Sequence, residues 1–219
     1  MFHFPATGVR VEERVTLLAV DDVSLPLKRN LCYFLTSPKV HAAPVLGPSR
    51  DNPNAPDRLA AMFFGSVLFE DGRFRMWYSG YYTGRNEDAP AEILEQFPES
   101  PSNIWQGAIC YAESHDGIEW DKPALGQTKF KGNCENNAIA LPNMCLCVPH
   151  VIREDDEPDP ARRYKMAYWF IDQKKYALHP TFRTAVSPDG LHWTVENPRP
   201  TELFLEAGGL YKFNGLYIL

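Results

Sequence analysis

Six side chains in this 219-residue sequence could do chemistry by type and position. His150 stands in Cys147-Val-Pro-His-Val-Ile152. An imidazole in such a run can hydrogen-bond a hydroxyl or shuttle a proton near neutral pH, and it can also be a strand histidine satisfied by a neighbouring loop. Asn136 and Asn137 set two adjacent amides ahead of Ala138-Ile-Ala140. Each amide carries donors and an acceptor, which suits a hydroxyl-rich ligand and equally suits a turn. Asp51 and Asp57 end the run Asp51-Asn-Pro-Asn-Ala-Pro-Asp57, where closing turns is the ordinary work of aspartate. Glu206 lies two residues before the final hydrophobic segment (208–219), a position that fits a solvated loop end. The run Glu154-Asp-Asp-Glu-Pro-Asp159 has oxygens enough for calcium. A charge run between strands is more simply a solvated loop, and that is the expectation.

Five cysteines, Cys32, Cys110, Cys134, Cys145 and Cys147, make an odd count. Cys145 and Cys147 would share one strand face about 7 Å apart, too far for an easy bridge. Zinc would want CxxC pairs or histidines at ligand spacing. Buried free thiols in a reducing compartment are therefore expected, with no metal and no cofactor.

The elements that must position these residues are strands. Asp71-Gly72, Asp116-Gly117, Asp189-Gly190 and Asn214-Gly215 each separate two β-rich runs. Such pairs favour hairpin turns, because both central residues need positive φ. The hairpins belong to a repeat. Arg73-Phe-Arg-Met-Trp-Tyr78 aligns with Arg163-Tyr-Lys-Met-Ala-Tyr168, and Ala112-Glu-Ser-His-Asp-Gly-Ile-Glu-Trp120 with Ala185-Val-Ser-Pro-Asp-Gly-Leu-His-Trp193. The spacing predicts four short strands per unit, the pattern of a β-propeller blade. Blade 1 is expected near 63–125, blade 2 near 147–200, and the start of a third near 206–219. Residues 1–36 form a separate N-terminal segment, a candidate ring-closing strand, and 89–97 reads as a turn or two of helix within an insertion. Met76, Tyr78, Trp120, Met166, Tyr168 and Trp193 are expected in the core between blades. The Ser-x-Asp-Gly-x-x-Trp turns explain themselves structurally, although each Trp could also offer a sugar a stacking surface.

The net charge of −6 and the lack of any Lys/Arg run argue against nucleic acid or an anionic membrane as partner. No apolar run reaches the roughly 18 residues of a membrane span. The first residues lack the charged and apolar pattern of a secretory leader, so a cytoplasmic location is expected. A neutral ligand such as a sugar fits the charge.

GSVLFEDGRFRMWYSG (65–80), NNAIA (136–140), PHVIREDDEPDPARRYKM (149–166), the two SxDGxxW turns and SPKVHAAPVLGP (37–48) carry a resemblance. Over about residues 35–219 the chain resembles the five-bladed β-propeller glycoside hydrolases, the superfamily of families 32, 43, 68 and 130. It is most similar to proteins related to the family 32 N-terminal domain. The SxDGxxW turns are also similar to the Asp-box of sialidases, which has one more residue between Asp and Gly. The resemblance implies an all-β propeller of which about two and a half blades are present, so the chain is expected to be part of something longer. Glycoside cleavage needs two carboxyls, about 5 Å apart in retaining enzymes and roughly 6.5–9.5 Å apart in inverting ones. The family places one Asp at the start of the blade-one inner strand and another before a proline in blade two. Here Phe64-Gly65 and Val148 stand at those places. The resemblance implies an acid near Glu206, sets Asp51 and Asp57 near the mouth of the axis, and lets Asn136 and Asn137 line the pocket. His150 and Glu206 are thus the candidate catalytic residues, and Asp51, Asp57, Asn136 and Asn137 the candidate binding residues. The function implied is a glycoside hydrolase-like propeller that acts on or binds carbohydrate but is inactive as this stretch alone. If catalytic, it would be a glycosidase or glycoside phosphorylase. The alternative is a non-catalytic propeller that binds carbohydrate or protein.

Overall fold

The computed structural model describes residues 29–30, 36–83, 106–129, 133–141, 146–170, 181–196 and 208–219. The chain divides into two units, Met1–Val40 and His41–Leu219. All the strands below belong to the second. The expected helical piece at 89–97, most of the N-terminal segment, Glu206, Cys32 and Cys145 lie outside the described residues.

The chain is an all-β protein of antiparallel sheets, arranged as part of a β-propeller. Its only helical turn among the described residues is a 3-10 turn at Pro160–Arg162. None of the described helical residues forms a helix long and apolar enough to cross a membrane. The first sheet has the order β1 (Ala60–Glu70), β2 (Arg73–Thr83), β3 (Gln106–Ser114). The second has the order β4 (Leu146–Arg153), β5 (Tyr164–Phe170), β6 (Thr181–Ser187), β7 (Thr194–Val195). A last hairpin pairs β8 (Tyr211–Phe213) with β9 (Leu216–Ile218). Asp71 and Gly72 take φ of 50° and 78°, and Asn214 and Gly215 take 49° and 78°. These are the positive values a two-residue hairpin turn requires.

Blade 1 departs from four strands. Beyond its Trp turn the chain returns beside β3 only at the bridge Glu113–Asp121, with a second bridge at Cys110–Ala138. Pro123 follows at once, and without an N–H it cannot continue a ladder. Blade 2 has Thr194-Val195 at the corresponding place and completes β7.

The two Trp turns share one hydrogen-bond scheme. Ser114 Oγ accepts from the Asp116 and Gly117 amides at 3.2 and 2.9 Å, and Asp116 Oδ1 from Ile118 and Glu119 at 2.8 and 2.9 Å. Trp120 Nε1 donates to the Gly117 carbonyl at 3.0 Å. Ser187, Asp189, Gly190 and Trp193 repeat every bond. Each indole is therefore spent on its own turn. Both Trp120 and Trp193 are half-buried at the margins of the core rather than enclosed in it.

Between the blades, Trp77, Ile109, Tyr111 and Ile139 pack against Val151, Tyr164, Met166, Tyr168 and Ala185. Met76 and Tyr78 point to the opposite face of blade 1, with Cys110 and Ala112. A polar clasp borders the shared core. Glu70, at the end of β1, accepts from Arg75 of its own blade at 2.6 Å. It also accepts from Arg153 at 2.5 Å and the Tyr164 hydroxyl at 2.7 Å, both from blade 2. Glu154, at the end of the blade 2 inner strand, repeats the arrangement. It pairs with Lys165 of its own blade, with Lys212 at 2.9 Å and with the Tyr217 hydroxyl at 2.8 Å from the last hairpin. The acidic stretch 154–159 is thus anchored at its first residue: Glu154 is buried, and Glu157 also meets Lys165 at 2.7 Å.

Candidate functional site

Both inner strands are interrupted at the same repeat position. The β1–β2 register slips between Met62 and Ser66, and the β4–β5 register between Cys147 and His150. Ser66 and His150 are equivalent, facing Trp77 and Ala167, so Phe64 of one bulge corresponds to Val148 of the other. Bulges of this kind re-aim side chains next to active sites and at barrel rims.

In β1 the bulge depends on Gly65. A Cβ there would lie 1.9 Å from the Trp77 carbonyl oxygen, so only glycine lets β1 approach β2 so closely. In β4 it holds Val148 at φ 57°, a left-handed conformation that a β-branched residue rarely adopts. The freed amides of β4 are taken up by blade 1: Val148 N donates to Ser79 Oγ and Val151 N to Ser66 Oγ, both at 2.8 Å. Strain at Val148 is thus held in place by two cross-blade hydrogen bonds. Phe64 is exposed, whereas Val148 and His150 are buried. Neither bulge carries a carboxyl.

Asp57 lies in a second cluster, on the face of blade 1 turned away from blade 2. It is fully buried. Its Oδ2 accepts from Lys122 Nζ at 2.5 Å and from the Tyr78 hydroxyl at 2.9 Å. Asn137 Nδ2 donates to Tyr78 Oη and to the Tyr111 carbonyl, each at 2.8 Å. Lys122 also holds the Gly47 carbonyl at 2.6 Å and Ser49 Oγ at 3.0 Å, fastening the 47–57 loop to the sheet. Burial, reinforced by Cys110 and Asp57, pushes the Tyr78 phenol far up, so it remains a donor. Burial and then Asp57 likewise raise the Cys110 thiol, which stays protonated and is a packing group rather than a nucleophile.

Asp57 and Asn137, read from sequence as binding residues, therefore come together through Tyr78. Their polar groups point into the protein. Asn136 is nearby in the chain but separately engaged. Its Nδ2 donates to the Thr128 and Asn133 carbonyls, and its Oδ1 accepts from the Ala138 amide at 3.0 Å. Asp51 is exposed in a turn. Among the described residues no group of three His, Cys, Asp or Glu could hold a metal. Sequence reasoning passed over Lys122 and Glu70, took Tyr78 for a core residue only, and read Glu154 as part of a solvated loop although it is buried. The clasp did have a signal, because Glu70 and Glu154 close equivalent strands and each has a basic residue on the strand that follows.

No family model and no curated protein matches the chain. Among solved structures it is similar to a candidate glycoside hydrolase from Bacteroides ovatus, with 19% identity, a TM-score of 0.40, and 69% of this chain and 37% of that one covered. It is also similar to a structure from the GH130 family, whose mannoside phosphorylases include glycoside hydrolases that target beta-1,2 mannosidic linkages in Candida mannan. There the identity is 16% and the TM-score 0.42, with 78% of this chain and 43% of that one covered. A glycosyl hydrolase from Bacteroides ovatus gives 15% identity, a TM-score of 0.35, and coverage of 62% and 31%. The chain thus spans less than half the length of each. At such similarity the architecture rests on the repeat and the two sheets themselves.

Proposed function

We propose that this chain is a glycoside hydrolase-like propeller protein that acts on or binds carbohydrate, and that its first two blades contribute to binding rather than to bond cleavage. The supporting observation is the pair of equivalent bulges. They re-aim side chains on both inner strands, yet carry Phe64 and Val148 where a glycosidase needs carboxyls. Asp57 offers no substitute, since its charge is matched by Lys122 inside the protein. The thiols favour a reducing compartment, because Cys110 is buried and Cys134 exposed, and both are free.

The test is to incubate the purified chain with aryl fructosides, arabinosides, xylosides and mannosides, with and without phosphate. In parallel, binding of unmodified oligosaccharides is followed by calorimetry. Binding heat without released phenol is expected. Turnover above buffer that survives Glu206→Gln would place a cleaving group within the first two blades and overturn the reading, and so would the absence of any binding heat.

A further inference from the structure

Four turns in this protein are built on an aspartate or asparagine followed by glycine, and they are not chemically alike. A glycine amide nitrogen can attack the carbonyl carbon of the side chain before it and close a five-membered ring, unless hydrogen bonds hold either group away. The two Trp turns hold both. At Asp116-Gly117 the Gly117 amide donates to Ser114 Oγ at 2.9 Å, and Asp116 Oδ1 is held by the Ile118 and Glu119 amides at 2.8 and 2.9 Å. At Asp189-Gly190 the Gly190 amide donates to Ser187 Oγ at 2.8 Å, and Asp189 Oδ1 is held by the Leu191 and His192 amides, both at 2.8 Å.

Asn214-Gly215 is the one asparaginyl-glycine pair in the sequence, and its turn holds neither group. Among the described residues, neither the Gly215 amide nor the Asn214 carboxamide has a hydrogen-bond partner, and a Cβ on Gly215 would meet nothing within 4 Å. Asp71-Gly72 has the same backbone, with φ of 50° and 78° against 49° and 78°. Its side chain, however, ends in a carboxylate, a poor electrophile, and faces Arg153 at 4.0 Å. That turn also shows where this position of the repeat lies. The Asp71 side chain is 87% exposed although blade 2 packs on blade 1. The openness of Asn214 follows from its place in the repeat, and does not depend on what covers the faces of the hairpin.

We propose that Asn214-Gly215 is a site of spontaneous covalent modification, and that the change loosens the grip of the last hairpin on Glu154. The Gly215 amide gives up its proton to water, and its nitrogen attacks Asn214 Cγ. The N–Cγ bond forms, the Cγ–Nδ2 bond breaks, and Nδ2 leaves as ammonia with a proton returned from water. A water molecule then opens the ring at either carbonyl, leaving aspartate or isoaspartate at position 214. Nothing is oxidised or reduced, and water is the only co-reactant. The isoaspartyl product carries an extra carbon in the main chain of a two-residue turn. Beyond the closing pair Phe213↔Leu216, the next rung is Lys212↔Tyr217. These are the two residues that meet Glu154, at 2.9 and 2.8 Å. The lengthened turn no longer has the geometry that keeps this rung in register.

The test is to age the 219-residue chain in mildly alkaline buffer, digest it with trypsin, and follow the peptide Phe213–Leu219 by chromatography and mass spectrometry. A gain of one mass unit, split between two new peaks, is expected. Asp116→Asn sets a second asparaginyl-glycine pair in the same molecule, inside the serine-held turn. It should react more than about tenfold more slowly than Asn214, since its hydrogen bonds must open first. Adding Ser114→Ala, which frees the Gly117 amide, should narrow that gap. Circular dichroism of the fresh variants checks that they fold. The aged chain should unfold at lower urea than the fresh one, whereas aged Asn214→Asp, which has no ammonia to lose there, should keep its midpoint. An Asn214 that survives ageing intact overturns the proposal. So does a pair at position 116 that reacts as fast as Asn214, or a modified chain as stable as the fresh one.

Discussion

Glu70 and Glu154 are buried acids that stay charged because of what surrounds them. Burial raises both carboxyls, but hydrogen bonds outweigh it: Arg153, Tyr164 and Arg75 at Glu70, and Lys165, Lys212 and Tyr217 at Glu154. The net result is a lowered pKa at Glu70 and one of about 2 at Glu154. A carboxyl whose folded pKa is depressed contributes stability that is complete above its unfolded pKa and fades as pH falls through the folded one. For Glu154 that window runs from 4.5 down to about 2. Urea titrations at successive pH values should show stability falling through this range, and Glu154→Gln should make the decline shallower. At neutral pH the same variant should lose about 2 kcal/mol, since its hydrogen bonds are to charged partners. An acid limb unchanged by Glu154→Gln would remove the clasp from the account of stability.

Strands and turns carry the parts of the fold most legible in the sequence. Asp71-Gly72 and Asn214-Gly215 announced their hairpins because few other dipeptides tolerate those φ values, whereas at Asp116-Gly117 and Asp189-Gly190 only the glycine takes positive φ and the turn is the Ser-Asp-Trp turn instead. The repeated Met and Tyr positions announced burial in both blades, but only Met166 and Tyr168 lie between them. Met76 and Tyr78 are buried on the face of blade 1 turned away from blade 2, because strand alternation keeps equivalent residues on the same side of each sheet. Blade 1 loses its fourth strand to Pro123, and that proline was visible, but its effect depends on where the chain returns to β3. The two Trp turns were expected deep in the core and instead sit at its margin, since each indole reaches only as far as its own Gly carbonyl. Trp77, which is fully buried, is the real aromatic centre. Trp77→Ala should cost about 3–5 kcal/mol, and Trp120→Ala clearly less, as read from denaturant midpoints. Equal losses would show that the Trp turns do anchor the core. The inner-strand bulge makes a sharper demand. Gly65→Ala places a methyl against the Trp77 backbone, and a shift of either strand should cost at least about 2 kcal/mol and disturb the β1–β2 amide signals. A spectrum identical to wild type would mean the close approach is not as described. The site itself was only half legible. Phe64 and Val148 could be located by the repeat, whereas the Asp57–Tyr78–Lys122 cluster joins residues up to 65 apart and has no local pattern.

At the scale of the whole molecule, the blades are bound through contacts that cross long stretches of chain. The Trp77 indole donates to the Gly190 carbonyl at 2.8 Å, and Arg75 reaches the Asp189 carbonyl at 2.6 Å. The hydrogen-bond partner of the Trp77 indole lies 113 residues later, inside the second Trp turn, while its ring also meets Tyr111 of its own blade at 5.7 Å. A chain made from its N-terminus on a ribosome therefore exposes Trp77 and the apolar face around it well before the turn that will receive them exists. Blade 1 thus emerges with this indole N–H unbonded, and with the face it turns to blade 2 uncovered, until residue 190 has cleared the exit tunnel. Nascent chains stalled at successive lengths should stay protease-sensitive until that point and then become resistant within a narrow span of added residues. The interval in between is when such a chain would most need a chaperone.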